Sequence, residues 1–151
     1  MEDEAFLCAL EAGNLPNEAF RHADHLRATY LYPQRFGYPG GLEAVESTIR
    51  RFAAAHGAPE KFHVTLTIAW GRFVAAHCEG ACAAPFEVFL DQNRELLDRA
   101  LPLRFYSPER LFDEAARHCW REPDLLPLPA AAPWSPDSAR RQPRPAPAPT
   151  R

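Results

Sequence analysis

The sequence predicts an all-α protein: a compact bundle of five or six helices that ends in an extended, disordered tail rich in proline and arginine. Apolar residues recur with the 3.6-residue period of a helix in successive segments of the chain. Clusters of glycine and proline separate these segments and mark the connections. Past residue 130 the apolar pattern stops, and proline, alanine and arginine dominate. We therefore expect a helical domain over residues 1–130 and a disordered tail over residues 131–151.

The composition is typical of one globular domain. Hydrophobic residues make up 46% of the 151 residues, which is enough for a buried core. No apolar run reaches the roughly 18 residues of a membrane span, and the acidic start, Met1–Glu4, is unlike an export signal. The net charge is −3, but residues 133–151 carry +3, so the body carries −6. We expect a cytoplasmic protein that binds neither membranes nor nucleic acid, since a nucleic-acid-binding domain normally presents a basic face.

Two helices are predicted near the start of the chain. The first covers residues 2–12 and ends at Gly13, a residue that tolerates the left-handed backbone of a helix end. The second begins after Asn17, a good N-cap residue, and runs to about Leu31. Pro33 is expected to stop it, because proline disfavours helix at the preceding residue.

Two longer helices follow. Residues 42–56 carry a buried apolar stripe and end before Gly57. Residues 60–78 also show helical spacing, although the β-branched run over residues 64–68 fits a strand as well. The length of the segment and its period after Trp70 favour the helix.

The last predicted helices are shorter. One begins at Phe86 and is expected to break near Asn93. The next has Ser107 as N-cap and Pro108 in the first helical position, and it runs to about Cys119.

The C-terminal part of the chain is predicted to be extended. Residues 123–129 contain three prolines and should cross the bundle with Leu125, Leu126 and Leu128 packed against it. The tail that follows fits plain disorder, and docking on an SH3-like partner is the alternative.

Three histidines form the candidate site. His22 and His25 are three residues apart on the second predicted helix, so they share one face beside the apolar stripe. His63 occupies the matching strip of the fourth predicted helix. Neutral imidazoles bind zinc, iron and copper, and helix bundles build such sites from facing helices. The sequence therefore predicts a divalent transition-metal site between two helices, with an open position for water or substrate.

Acidic residues near these histidines are candidates for further ligands. Glu18 lies four residues before His22 on the same face, where it can supply a fourth ligand or accept a hydrogen bond from an imidazole. Asp24 points about 100° away from its neighbours and is expected to be solvated. Glu46 on the third helix is a weaker candidate.

The same residues also fit structural roles. The three histidines can be hydrogen-bonded core residues without a metal. The aromatic residues Tyr30, Tyr32, Trp70 and Phe73 can line a pocket or simply form core. Thr65 and Thr67 can bind a ligand or bond back to their own helix.

A second cluster combines cysteine and histidine. His77, Cys78 and Cys82, with His118 and Cys119 downstream, have residue types found in structural zinc sites. Their spacing is not that of a zinc finger, so buried or idle thiols are the alternative.

Four short stretches, taken in order, resemble a family of small bacterial proteins of unassigned function: Phe20-x-His22-x-Asp24-His25-Leu26, Phe62-His63-x-Thr65-Leu66-Thr67, Phe105-Tyr106-Ser107 and Pro123-Asp-Leu-x-Pro-Leu-Pro129. The resemblance covers about residues 17–129. In that family the residue after the third histidine is often glutamate, where this chain has Val64. If that glutamate acts as ligand or base, this chain lacks part of the activity. The family supplies no settled function.

The resulting expectation is a small metalloprotein with a site formed by His22, His25, His63 and Glu18. Its open position is suited to a metalloenzyme that acts on a small molecule. A non-enzymatic metal- or ligand-binding accessory protein is the first alternative. A helical protein with structural core histidines is the second.

Overall fold

The computed structural model describes residues 1–16, 18, 20–78 and 84–136, and this part of the chain is all-α, as predicted. Seven α-helices lie within these residues: α1 Asp3–Ala12, α2 His22–Phe36, α3 Gly40–Ala55, α4 Val64–Cys78, α5 Phe86–Gln92, α6 Pro108–Leu111 and α7 Glu114–His118. Short 3-10 helices occupy Pro59–Lys61, Arg94–Leu97 and Leu101–Arg104. None of the helices in the described ranges is long and apolar enough to cross a membrane.

Two apolar clusters form the core, and α2 contributes to both. Ala28 and Tyr32 belong to the cluster with α1 and α3. Leu26 and Tyr30 belong to the cluster with α4, α5 and the C-terminal segments. Because α2 has an apolar face on each side, it is the central helix of the bundle.

The observed α2 differs from the predicted helix at its C-terminal end. It continues through Pro33 to Phe36, whereas the sequence predicted an end near Leu31. Pro33 is buried, and Gly41 of α3 lies so close that a Cβ there would be 2.6 Å from the Pro33 Cα. This close packing compensates for the backbone hydrogen bond that a proline removes. The predicted N-cap, Asn17, lies outside the described residues.

The start of α4 also differs from the prediction. The helix begins at Val64, so His63 is the residue before it and not a member of a helical strip. The segment that precedes it is the 3-10 helix Pro59–Lys61. The β-branched residues are helical, which rules out the strand that they also fitted.

In the C-terminal third, two predicted helices are interrupted, one at the predicted place and one unexpectedly. The helix after Phe86 ends at Gln92, which confirms the predicted break near Asn93. A 3-10 helix, which was not predicted, follows it. The helix that Ser107 caps ends at Leu111, and α7 starts separately. Asp113 adopts the extended backbone of an N-cap residue, which restarts the helix.

The segment after α7 is extended and only partly buried. Leu128 is buried as predicted, but Leu125 and Leu126 are each 54% exposed, so their predicted packing was wrong. Their backbone N–H groups instead bond to the carbonyl of Phe105. Trp134 pairs with Tyr38 through two backbone hydrogen bonds of 2.9 Å. The predicted disordered tail lies, from residue 137 onward, outside the described residues.

Candidate functional site

A cavity of about 500 Å³ lies where the beginning of α2, the end of α3 and the beginning of α4 meet. Half of its 16 lining residues are apolar, and four of those are aromatic: Phe20, Phe52, Phe62 and Trp70. The charged lining residues are all basic: Arg21, Lys61 and Arg99. Among the described residues, no acidic side chain lines the cavity.

The three histidines that the sequence singled out all line this cavity. Glu18 is exposed and is not among the lining residues. Asp24 accepts the backbone N–H of Arg21 at 3.0 Å and so closes the first turn of α2. Glu46 also lies outside the lining.

His22 is held by the turn that follows α5. Its Nε2 lies 2.9 Å from the carbonyl oxygen of Leu96, so Nε2 carries the proton and donates it. Nδ1 then retains its lone pair. The Trp70 ring packs edge-on against this imidazole, with 4.6 Å between the ring centroids. Burial lowers the pKa of His22, and the nearby Arg99 guanidinium lowers it further.

His25 is the most perturbed titratable group of the site. Burial, with a smaller contribution from neighbouring His22, lowers its pKa to about 4. The imidazole is therefore neutral at pH 7. The Phe20 ring lies against it at 5.8 Å between centroids. Among the described residues, the His25 ring has no hydrogen-bond partner.

His63 uses both ring nitrogens within the protein. Nδ1 accepts the backbone N–H of Leu66 at 3.0 Å, which caps the start of α4. Nε2 donates to the carbonyl of Leu111 at 2.8 Å. Burial lowers the pKa of His63, and the Arg117 guanidinium acts in the same direction. A ring in this tautomer has no lone pair left for a metal unless it leaves one of these bonds.

A fourth histidine, His56, was not predicted as a site residue. It follows the last residue of α3 and lines the cavity. Its ring lies 4.3 Å from the Phe52 ring between centroids. Its buried Nε2 has no hydrogen-bond partner among the residues that the structure describes. His56 lies four residues after Phe52, one helical turn along the predicted buried stripe, and this spacing was the available signal.

Most of the threonine and aromatic side chains that were candidates for a pocket are bonded or packed within the protein. Thr67 bonds to the carbonyl of His63 at 2.7 Å, and Thr65 bonds to the carbonyl of Cys119 at 2.8 Å. Trp70 lines the cavity. Tyr30, Tyr32 and Phe73 are buried in the two core clusters.

The histidines of the predicted second cluster bind other groups. His77 contacts the Phe73 carbonyl and Glu95, and His118 contacts Glu114. Cys82 lies outside the described residues. In the part of the chain that the structure describes, no group of three or more histidine, cysteine, aspartate or glutamate side chains is arranged to hold a metal ion.

Replacement of His63 is expected to destabilise the protein through the start of α4. His63→Ala removes the cap and leaves the Leu111 carbonyl without its donor, which should cost about 1–3 kcal/mol. His63→Asn keeps a side-chain oxygen that can cap the helix, so it should recover roughly 1 kcal/mol. Urea unfolding of both variants measures this difference. Equal stability of the two variants would contradict the capping role.

Comparisons with protein-family models, with curated proteins and with solved structures give no match for this chain. The resemblance to a family of small bacterial proteins therefore stays a prediction.

Proposed function

We propose that this protein binds a small organic molecule in the cavity between α2, α3 and α4. The observation that supports the proposal best is the convergence of four imidazoles, from three different segments, on one cavity with aromatic walls. Ligand pockets typically combine apolar walls with a few polar groups that point to the same place, and their volumes are roughly 300–1,000 Å³.

The hydrogen bonding of the histidines separates this cavity from an ordinary packing defect. Voids in protein interiors are few, and those that stay empty are apolar. Here the His25 ring lines the cavity and has no hydrogen-bond partner among the described residues. This neutral ring carries one N–H donor and one lone pair, which a bound molecule can use.

Trp70 provides a direct test because its ring lines the cavity. Replacing Trp120 and Trp134 by phenylalanine leaves Trp70 as the sole tryptophan. We expect saturable changes in its emission with at least one of four probes: benzoate, benzamide, benzamidine and phenol. The proposal fails if none of the four saturates.

A cavity-filling variant locates the binding. Ala53 lines the cavity, whereas the next residue, Ala54, is exposed on the same helix. Ala53→Phe should abolish probe binding, and Ala54→Phe should leave it unchanged. Circular dichroism checks that both variants keep their helices. Equal binding by both variants would place the probes elsewhere and contradict the proposal.

A transition-metal centre is the second candidate. The geometry of His22 favours it. Nε2–H donates to a backbone carbonyl, so Nδ1 keeps a lone pair that can bind a metal. This arrangement is common among metal-binding histidines. His25 is neutral, as a ligand must be. His63 can serve as the third ligand only after it leaves one of its two hydrogen bonds, and Glu18 would have to turn inward. A centre of this kind would suit a metalloenzyme with an open position.

Cobalt titration tests the metal candidate. Stoichiometric visible absorption that is lost in His25→Gln but kept in His118→Gln would support it. His118 is exposed on α7 and outside the cavity, so it is a suitable control. The affinity should weaken as the pH falls, because protons compete for the imidazoles. The absence of saturable absorption in wild type would exclude a centre of this kind.

A further inference from the structure

We propose that the molecule bound in this cavity is a small organic acid with an apolar body and a single carboxylate. The inference rests on the proposed function and specifies its ligand class. It depends on three observations: the sign of the charges around the cavity, the nature of its walls, and the state of its imidazoles.

The charge around the cavity is opposite to that of the body of the protein. Outside residues 133–151 the chain carries a net −6. Yet the charged residues of the cavity are Arg21, Lys61 and Arg99, and the described chain places no carboxylate on its wall. All three side chains are exposed and screened by water, but their common sign still favours an anion over a cation at this cavity.

Arg99 brings one of these charges to the cavity from an exposed position on the connection between two 3-10 helices. Its guanidinium acts to lower the pKa of His22, whereas the neighbouring Asp98 carboxylate acts to raise it. A carboxylate between Arg99 and the imidazoles would accept charge-assisted hydrogen bonds, which are the strong ones.

The His25 imidazole can donate a hydrogen bond to such a ligand. A neutral imidazole carries one N–H donor and one lone pair. The His25 ring lines the cavity and has no hydrogen-bond partner among the described residues. It can direct an N–H at a carboxylate by its choice of tautomer. No acceptor from an acidic side chain competes for this donor within the described lining.

The walls favour an organic acid over an inorganic anion. Phe20 and Phe52 pack at 4.9 Å between centroids, and the Phe52 ring continues to His56. Together with Phe62 and Trp70 they form the aromatic part of the apolar wall. Phosphate would leave this surface without contacts, whereas a ring or a short apolar chain would bury against it.

The four probes of the Trp70 assay, with inorganic phosphate added, test the ligand class. Benzoate, benzamide and benzamidine have the same ring and differ in charge. We expect benzoate to bind at least roughly tenfold more tightly than benzamide, which corresponds to the loss of one charge-assisted hydrogen bond. Benzamidine should bind more weakly still, and phosphate should not bind measurably.

A matched pair of arginine variants tests the role of Arg99. Arg99→Gln should weaken benzoate binding about tenfold and leave benzamide binding unchanged. Arg94→Gln removes the same charge from a neighbouring turn outside this cavity, and it should leave both affinities unchanged. Equal losses in the two variants would mean that only the overall charge matters, and this would overturn the inference.

The outcomes separate this inference from the proposed function. Equal binding of benzoate and benzamide would overturn the organic-acid inference but leave a ligand cavity. Preferential binding of benzamidine or of phosphate would overturn it as well. If no probe saturates, or if Ala53→Phe binds as wild type does, the cavity itself is not a binding site.

Discussion

Acidification from neutral pH to about pH 4 is expected to destabilise this protein, and His25→Gln is expected to remove the largest part of that loss. The folded state holds the pKa of His25 at about 4, whereas the unfolded chain has the ordinary value of 6.5. Between these values the unfolded chain binds a proton that the folded protein rejects. The free energy of unfolding therefore falls as the pH drops through this window.

The expected size of the effect follows from the pKa difference. The contribution of His25 is fully present above pH 6.5 and is lost as the pH falls towards 4. It amounts to at most about 3 kcal/mol. His22 and His63 act in the same direction, since burial lowers the pKa of both. Their backbone hydrogen bonds oppose this effect, so smaller losses are expected from them.

Urea unfolding at several pH values between 4 and 7 measures this dependence. His25→Gln replaces the imidazole by a polar group that does not titrate, so its stability should vary less with pH than that of wild type. His118→Gln changes an exposed histidine and should keep the wild-type dependence. If wild type and His25→Gln lose stability in parallel, the lowered pKa of His25 is wrong.

Thr65→Val is expected to cost about 2–4 kcal/mol at pH 7, although the two side chains have almost the same shape. Thr65 is fully buried on α4. Its hydroxyl donates to the Cys119 carbonyl at 2.8 Å and accepts the N–H of Arg121 at 3.2 Å. Valine removes both bonds and leaves two backbone groups without their partner. The cost should appear as a lower urea midpoint.

Thr67→Val provides the matched control. Thr67 is also buried on α4, but its hydroxyl bonds to the His63 carbonyl, which already accepts the Thr67 N–H at 3.1 Å. Its loss leaves no backbone group unpaired, so less than about 1 kcal/mol is expected. Equal costs for the two variants would show that the link between α4 and the segment after α7 contributes little.

Local patterns predicted much of the fold. The Ser107–Pro108 start of α6 and the break at Asn93 depend on backbone preferences of the residues themselves, and both are present. The passage of α2 through Pro33 depends on α3, because Gly41 allows that helix to pack against the proline. A contact of this kind between helices cannot be read from the residues around Pro33 alone.

The candidate site also combines features that local patterns predict with features that depend on distant contacts. The three-residue spacing of His22 and His25 predicted that both lie on one helix, and both lie on α2. The four-residue spacing between His63 and Thr67 suggested one continuous helix, but His63 ends the preceding segment and caps α4 with its ring. Arg99 reaches the cavity from a turn far along the chain, and no local pattern predicts such a position.

The cap on α4 links the cavity to the dynamics of the helix. The His63 ring that starts α4 is also part of the cavity wall. Protonation of that ring, or any contact that turns it, releases the Leu66 amide to solvent. The hydrogen-exchange rate of the Leu66 amide therefore reports whether the cavity is occupied, and it needs no fluorescent or coloured ligand. Slower exchange in the presence of a ligand would mean that occupancy holds the first turn of α4 closed.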